Sequence, residues 1–164
     1  MKLRYALTII PFAMLLACGG SDGEVFTLNT GSYKLSSAAG VGTDDCNLAS
    51  AFPDGTLINV TVANGSATFS LGSTNAARNP VSVITDNSIA EGTKTYTSNE
   101  VVSTCTESIT VTTSGELLAD DEFSGTLKYS TGEPVAGSTG CTASALGYKV
   151  FPCASTMTFL AKKE

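Results

Sequence analysis

The chain has 164 residues, nine basic and fifteen acidic, a formal net charge of −6 at pH 7, and neither histidine nor tryptophan. That charge argues against a nucleic-acid partner and against a basic patch for anionic lipid headgroups. The missing histidine removes most familiar routes to general-base catalysis.

Met1 to Tyr5 carries Lys2 and Arg4, Ala6 to Ala17 is free of charge, and Cys18 opens the polar run Gly19-Gly20-Ser21-Asp22-Gly23. A basic start, an apolar stretch of roughly 7–15 residues and a small residue before a cut describe a secretory signal. The run is too short to cross a membrane, which takes about 20 apolar residues. Pro11 also disfavours a long unbroken helix.

Leu15-Leu16-Ala17-Cys18 resembles the lipobox of bacterial lipoproteins. The resemblance covers the leader alone. It implies diacylglycerol on the Cys18 sulfur, cleavage before Cys18 and usually a third acyl chain, palmitate for example, on the new amino group. Each buried methylene contributes about 0.8 kcal/mol, so two or three chains make a durable anchor. By the sorting rule of Gram-negative lipoproteins, aspartate after the cysteine favours the inner membrane. Gly19 stands there, so the resemblance implies the cell envelope and the outer membrane, with the membrane as partner through the acyl chains. The expected organisation is signal peptide 1–17, acylated cysteine and flexible tether 18–24, and one β domain 25–164. The 147 residues after the cut hold seven basic and fifteen acidic groups, a balance of −8.

Five cysteines leave one over. With Cys18 acylated, Cys46, Cys105, Cys141 and Cys153 form an even set suited to disulfides in an oxidising compartment. The pairs expected are Cys141–Cys153, closing a short loop, and Cys46–Cys105, closing a long one. Zinc usually takes closely spaced cysteines, and no C-x-x-C is present. No cofactor is expected.

Val25 to Leu28 reads as a lead-in strand and Gly31 to Ser37 as the first full strand, with Tyr33 and Leu35 on one face. Ala38 to Asp54 is loop-like around Cys46, with one helical turn near Asn47 to Ala51. From Thr56 to Leu71 the signal is strongest. Asn64-Gly65 is a two-residue type I′ turn, and folding there sets Val62 against Ala67, Val60 against Phe69 and Ile58 against Leu71. The polar pairs Thr61–Thr68 and Asn59–Ser70 fall on the other side, and a one-residue slip would destroy the sorting. Val81 to Thr85 and Ser88 to Thr97 are the next strands.

Glu100 to Thr112 alternates through Cys105, Glu107, Ile109 and Val111. Gly115 suggests a three-residue turn with left-handed glycine. That register sets Val111 against Leu117, Ile109 against Ala119, Glu107 against Asp121 and Cys105 against Phe123. Gly125, Leu127 and Tyr129 continue the face. After a loop through Pro134 and Cys141, Thr156 to Lys162 closes the chain with Met157, Phe159 and Ala161 inward. About eight strands in succession, joined mostly by short turns, describe an all-β, single antiparallel domain. An up-and-down barrel, lipocalin-like in outline, is preferred because closure removes both edges. An immunoglobulin-like sandwich is the alternative, without its usual buried tryptophan. The barrel rests on strand count; no lipocalin sequence signature is present.

Chemical motifs are few. Gly19-Gly20-Ser21-Asp22-Gly23 fits G-x-S-x-G, but that motif works at a strand-to-helix elbow with a histidine base. No serine stands three residues before any lysine after the leader. Asp44-Asp45 reads as a solvated loop or helix cap. Tyr33, Phe69, Tyr96, Phe123, Tyr129 and Phe159 read as core, with a cavity lining as the other use. Glu107 and Asp121, side by side on the apolar face, are the one candidate site for a ligand or a hard cation, since buried carboxylates need partners; the plainer reading turns both into solvent. Three functions follow. The first is a non-enzymatic envelope lipoprotein with a structural or protein-binding role, the second a barrel that binds a small apolar ligand. The third is a glycan hydrolase, which needs two carboxyls about 5–10 Å apart.

Overall fold

The computed structural model describes residues 23–36, 43–71, 75–99 and 104–164. Cys18 and the lipobox lie outside them. The alternating segments form eight strands: β1 (Gly31–Ser36), β2 (Leu57–Ala63), β3 (Ser66–Phe69), β4 (Val81–Thr85), β5 (Ser88–Asn99), β6 (Thr106–Ala119), β7 (Glu122–Pro134) and β8 (Ala154–Lys163). Each pairs antiparallel with the next, and β1 returns to β8, so the sheet closes into the up-and-down barrel expected and the sandwich is ruled out. Two single helical turns, α1 (Leu48–Ala51) and α2 (Ala143–Leu146), sit in loops.

Sequence dictates the β2–β3 hairpin from its turn out to Val60 and Phe69, while the expected pair Ile58–Leu71 falls beyond the end of β3. Val62 faces Ala67, Thr61 faces Thr68 and Val60 faces Phe69, and Asn64 and Gly65 both have positive φ, as a type I′ turn requires. The Ser70 amide donates to the Asn59 carbonyl and carries the pairing one step further. The interior is organised on Phe123, whose ring centroid lies 5.6 Å from Tyr33, 5.5 Å from Phe69 and 6.0 Å from Phe159. Met157, Phe159 and Ala161 point inward from β8 as expected.

Outward positions along β5 and β6 carry paired hydroxyls. Thr93 meets Thr112, and Thr95 meets Thr110, each pair with hydroxyl oxygens 2.9 Å apart. No helix among the described residues is long and apolar enough to cross a membrane.

Gly115 is not a turn. β6 runs straight through it to Ala119, and the chain reverses at Asp120-Asp121, where Asp121 takes the positive φ of 55°. Gly115 faces Gly125, and Leu117 faces Phe123. The glycines serve close approach: a Cβ at Gly115 would lie 2.3 Å from the Ser124 carbonyl oxygen, and one at Gly125 would lie 2.3 Å from the Phe159 ring. The corrected register sets Glu107 against Pro134 and leaves Asp121 at the far end of the hairpin. The lead-in segment Val25 to Leu28 is no strand. Its amides bond to turn side chains rather than to a ladder.

The four cysteines form two disulfides, but the pairs are Cys46–Cys153 and Cys105–Cys141. The expected pairs fail because loops, not sequence distance, decide which thiols meet. Cys46 donates its amide to Ser155 Oγ beside the start of β8. Hydrogen bonds from Val135 to Thr106 and from Thr106 to Ser138 lay the chain leading to Cys141 along Thr104 to Thr106.

Candidate functional site at the loop end of the barrel

The barrel's ends differ. The turns Asn64-Gly65, Asp86-Asn87 and Asp120-Asp121 all fall at one end, together with the N-terminal segment and Glu164. The long connections, both disulfides, α1 and α2 fall at the other.

At the turn end, side chains lace the N-terminal segment across the barrel. Phe26 N donates to Asn87 Oδ1 (2.8 Å), Asn87 Nδ2 donates to the Glu24 carbonyl (2.7 Å) and Thr27 N donates to Asp120 Oδ1 (2.7 Å). Asp121 is the clamp. Its Oδ1 accepts from the Asn29 amide at 2.8 Å and lies 2.8 Å from the Tyr33 hydroxyl, and Lys163 Nζ stands 3.4 Å from its Oδ2. Desolvation alone would raise the Asp121 carboxyl, but the Tyr33 hydroxyl, the Asn29 amides and Lys163 outweigh it and hold it below the ordinary carboxylate value. Burial, then the same carboxylate, pushes the Tyr33 phenol up.

A carboxyl depressed on folding contributes stability above its unfolded pKa and loses it as pH falls through the folded one. Asp121→Asn, which keeps the tolerance for positive φ, is therefore expected to cost roughly 1–2 kcal/mol at neutral pH. In urea titrations its difference from wild type should narrow below about pH 4. A constant difference across that range would remove the clamp's charge from the account. Asp44 follows the same sign: its desolvation is outweighed by Lys149, 2.8 Å away, and by the Leu48 amide, which it receives at the first turn of α1 although the N-cap residue there is Asn47.

At the loop end lies a cavity of about 230 Å³. Leu48, Phe52, Leu71, Ile109 and Leu127 supply its apolar wall, and Arg78, Tyr96, Ser98, Tyr129 and Tyr148 its polar groups. Tyr148 stacks on Phe151 from the β7–β8 loop, with planes 9° apart, and its hydroxyl donates to Glu107 Oε1 at 2.9 Å. The Tyr129 hydroxyl is 3.1 Å from that of Tyr148. With the Tyr148 proton committed to Glu107, Tyr129 donates to Tyr148. Burial, then Tyr129 and Glu107, push the Tyr148 phenol up. Glu107 itself is completely buried.

The structure thus separates the candidate carboxylates. Asp121 clamps the turn end and Glu107 anchors a tyrosine under the loop-end cavity, so they form neither a shared cation site nor a catalytic pair. No group of three or more potential metal-ligating residues occurs among the described residues. Of the aromatics singled out from sequence, Tyr33, Phe69, Phe123 and Phe159 are core, and Tyr96 and Tyr129 line the cavity. Sequence reasoning missed Arg78 and Tyr148. Arg78 had a signal: it is the only arginine after the leader. Tyr148 had none, because a loop folding back carries it in. The chain matches no protein-family model, no curated protein and no solved structure.

Proposed function

We propose that this chain is a lipid-anchored envelope protein that holds a small, largely apolar ligand in the loop-end mouth of its barrel. The cavity at the end opposite the N-terminal tether carries this reading. Barrel mouths are a common setting for ligand sites, and loops on a rigid scaffold carry binding more often than the scaffold does. At about 230 Å³ the cavity is smaller than the usual drug-sized pocket of roughly 300–1,000 Å³, so the ligand is small.

The anchor rests on the lipobox and on the side from which the tether leaves. The five Cα-to-Cα steps from Cys18 to Gly23 reach at most about 18 Å, which keeps the turn end near the bilayer and aims the mouth away from it. A role as a protein-binding module has less behind it. Among the described residues the exposed large apolar side chains are spread over several strands and loops, and Val81 and Val83 are the pair that neighbour each other on one strand.

Native mass spectrometry of the protein extracted from its own membrane tests both halves. The expected species starts at Cys18, carries two or three acyl chains and retains a small molecule. A start elsewhere ends the anchor. Loss of the pocket reading would show as no retained mass together with no binding of small apolar probes.

A further inference from the structure

We infer that the ligand is a small amphipathic anion, a short aliphatic or aryl carboxylic acid, whose carboxylate is read by Arg78; the inference rests on the pocket reading above and names its ligand class. The argument starts from charge pairing. In a chain of net charge −6, basic groups find acids easily, and Lys34, Lys128, Lys149, Lys162 and Lys163 are each paired with one. Among the described residues the two basic groups outside any ion pair are Arg78 and Lys94, and both stand by the loop-end half of β5.

Arg78 lines the cavity with its guanidinium 5.3 Å from the centroid of the Tyr96 ring. It closes the 3-10 turn Ala76–Arg78, which packs on β5; the in-register ladder between β4 and β5 covers Ile84–Ile89 and Thr85–Ser88. Lys94 is half-buried two residues before Tyr96, opposite the buried Val111. Glu107, which faces the cavity-lining Ser98 across the strands, accepts from Tyr148 and does not itself line the cavity.

A half-buried guanidinium held by an aromatic face, in a chamber that has both apolar and polar walls, suits a planar carboxylate on an apolar body, which its fork can meet with two parallel hydrogen bonds. The body of such an acid would lie on Leu71, Ile109 and Leu127. An amine would meet repulsion from Arg78. A wholly neutral hydrocarbon would leave the guanidinium desolvated without compensation.

The test is calorimetric titration of the mature protein, isolated from its own membrane into nanodiscs, with two matched pairs: 3-phenylpropionate against 3-phenylpropionamide, and hexanoate against hexanamide. Empty nanodiscs correct for partitioning. Wild type should bind each acid at least tenfold more tightly than its amide. Arg78→Gln should bring the acid down to the level of its amide, and Arg78→Lys should restore part of the gap. Lys128→Gln, on the outer wall, should keep the whole gap, and intact disulfides and an unchanged circular dichroism spectrum should show that Arg78→Gln is folded. Equal binding of acid and amide by wild type overturns the anion inference while leaving the pocket reading in place. A preference for the acid that survives in Arg78→Gln overturns the assignment to Arg78. Binding of neither pair overturns the pocket reading and the inference with it.

Discussion

Removing the Cys46–Cys153 disulfide by a double change to alanine should cost about 4–5 kcal/mol, more than any single side chain outside the core. The bond joins residues 107 apart in sequence. In the chain-entropy model a loop of about that length contributes roughly 4.7 kcal/mol through the unfolded state. Loss of Cys105–Cys141, which spans 36 residues, should cost about 1 kcal/mol less by the same dependence on loop length. Both bonds tie loops to the mouth of the barrel, but Cys46 also lines the cavity and Cys153 is buried beside it. The first loss should therefore weaken ligand binding as well as stability, and the second should act on stability first. Urea unfolding of the two double mutants gives the order, and a non-reducing digest shows which cysteines are joined. Peptides linking Cys46 to Cys105 would overturn the loop arrangement. Equal costs for the two mutants would reject the loop-length explanation.

Strand identity and strand face were legible because side-chain direction repeats every two residues. The β6–β7 hairpin shows what that period leaves open. The expected register and the observed one differ by twelve positions, an even number, so Ile109, Val111, Phe123 and Leu127 point inward in both. Alternation cannot tell two even-shifted registers apart; only the turn can. There, Gly115 gave the more familiar signal, and Asp121, able to take a positive φ while its carboxylate clamps Asn29, outcompeted it. The β2–β3 register, by contrast, was legible because Asn64-Gly65 fixes it locally. Disulfide pairing and the cavity depend on how loops of ten or more residues return to the barrel mouth. Their partners lie far off in sequence, as with Tyr148 and Glu107, 41 residues apart.

Glu107 carries the second large expected effect. It sits on β6 between Ser98 and Pro134, completely buried, and it receives the Tyr148 hydroxyl. Glu107→Ala should cost about 3–4 kcal/mol, since it leaves the half-buried Tyr148 hydroxyl without its acceptor and opens a cavity where a completely buried side chain stood. Glu107→Gln keeps a side-chain oxygen that can accept from Tyr148 and should cost about 1 kcal/mol. The sharper test is a cycle with Tyr148→Phe. If the hydroxyl-to-carboxyl bond is what holds the β7–β8 loop over the mouth, Glu107→Leu should be costly alone and much cheaper beside Tyr148→Phe. The coupling should be roughly 1–3 kcal/mol, because removing both polar partners leaves neither one stranded. Ligand affinity separates this from a merely local packing effect: Tyr148 lines the cavity, so releasing its loop should speed ligand dissociation while Asp121→Asn at the opposite end leaves that rate unchanged. Additive costs in the cycle would mean that the two groups stabilise the barrel independently, and that the loop is held by its other ties, the Lys149–Asp44 ion pair, the backbone bonds of Lys149 and Val150 to Asp45, and the disulfides.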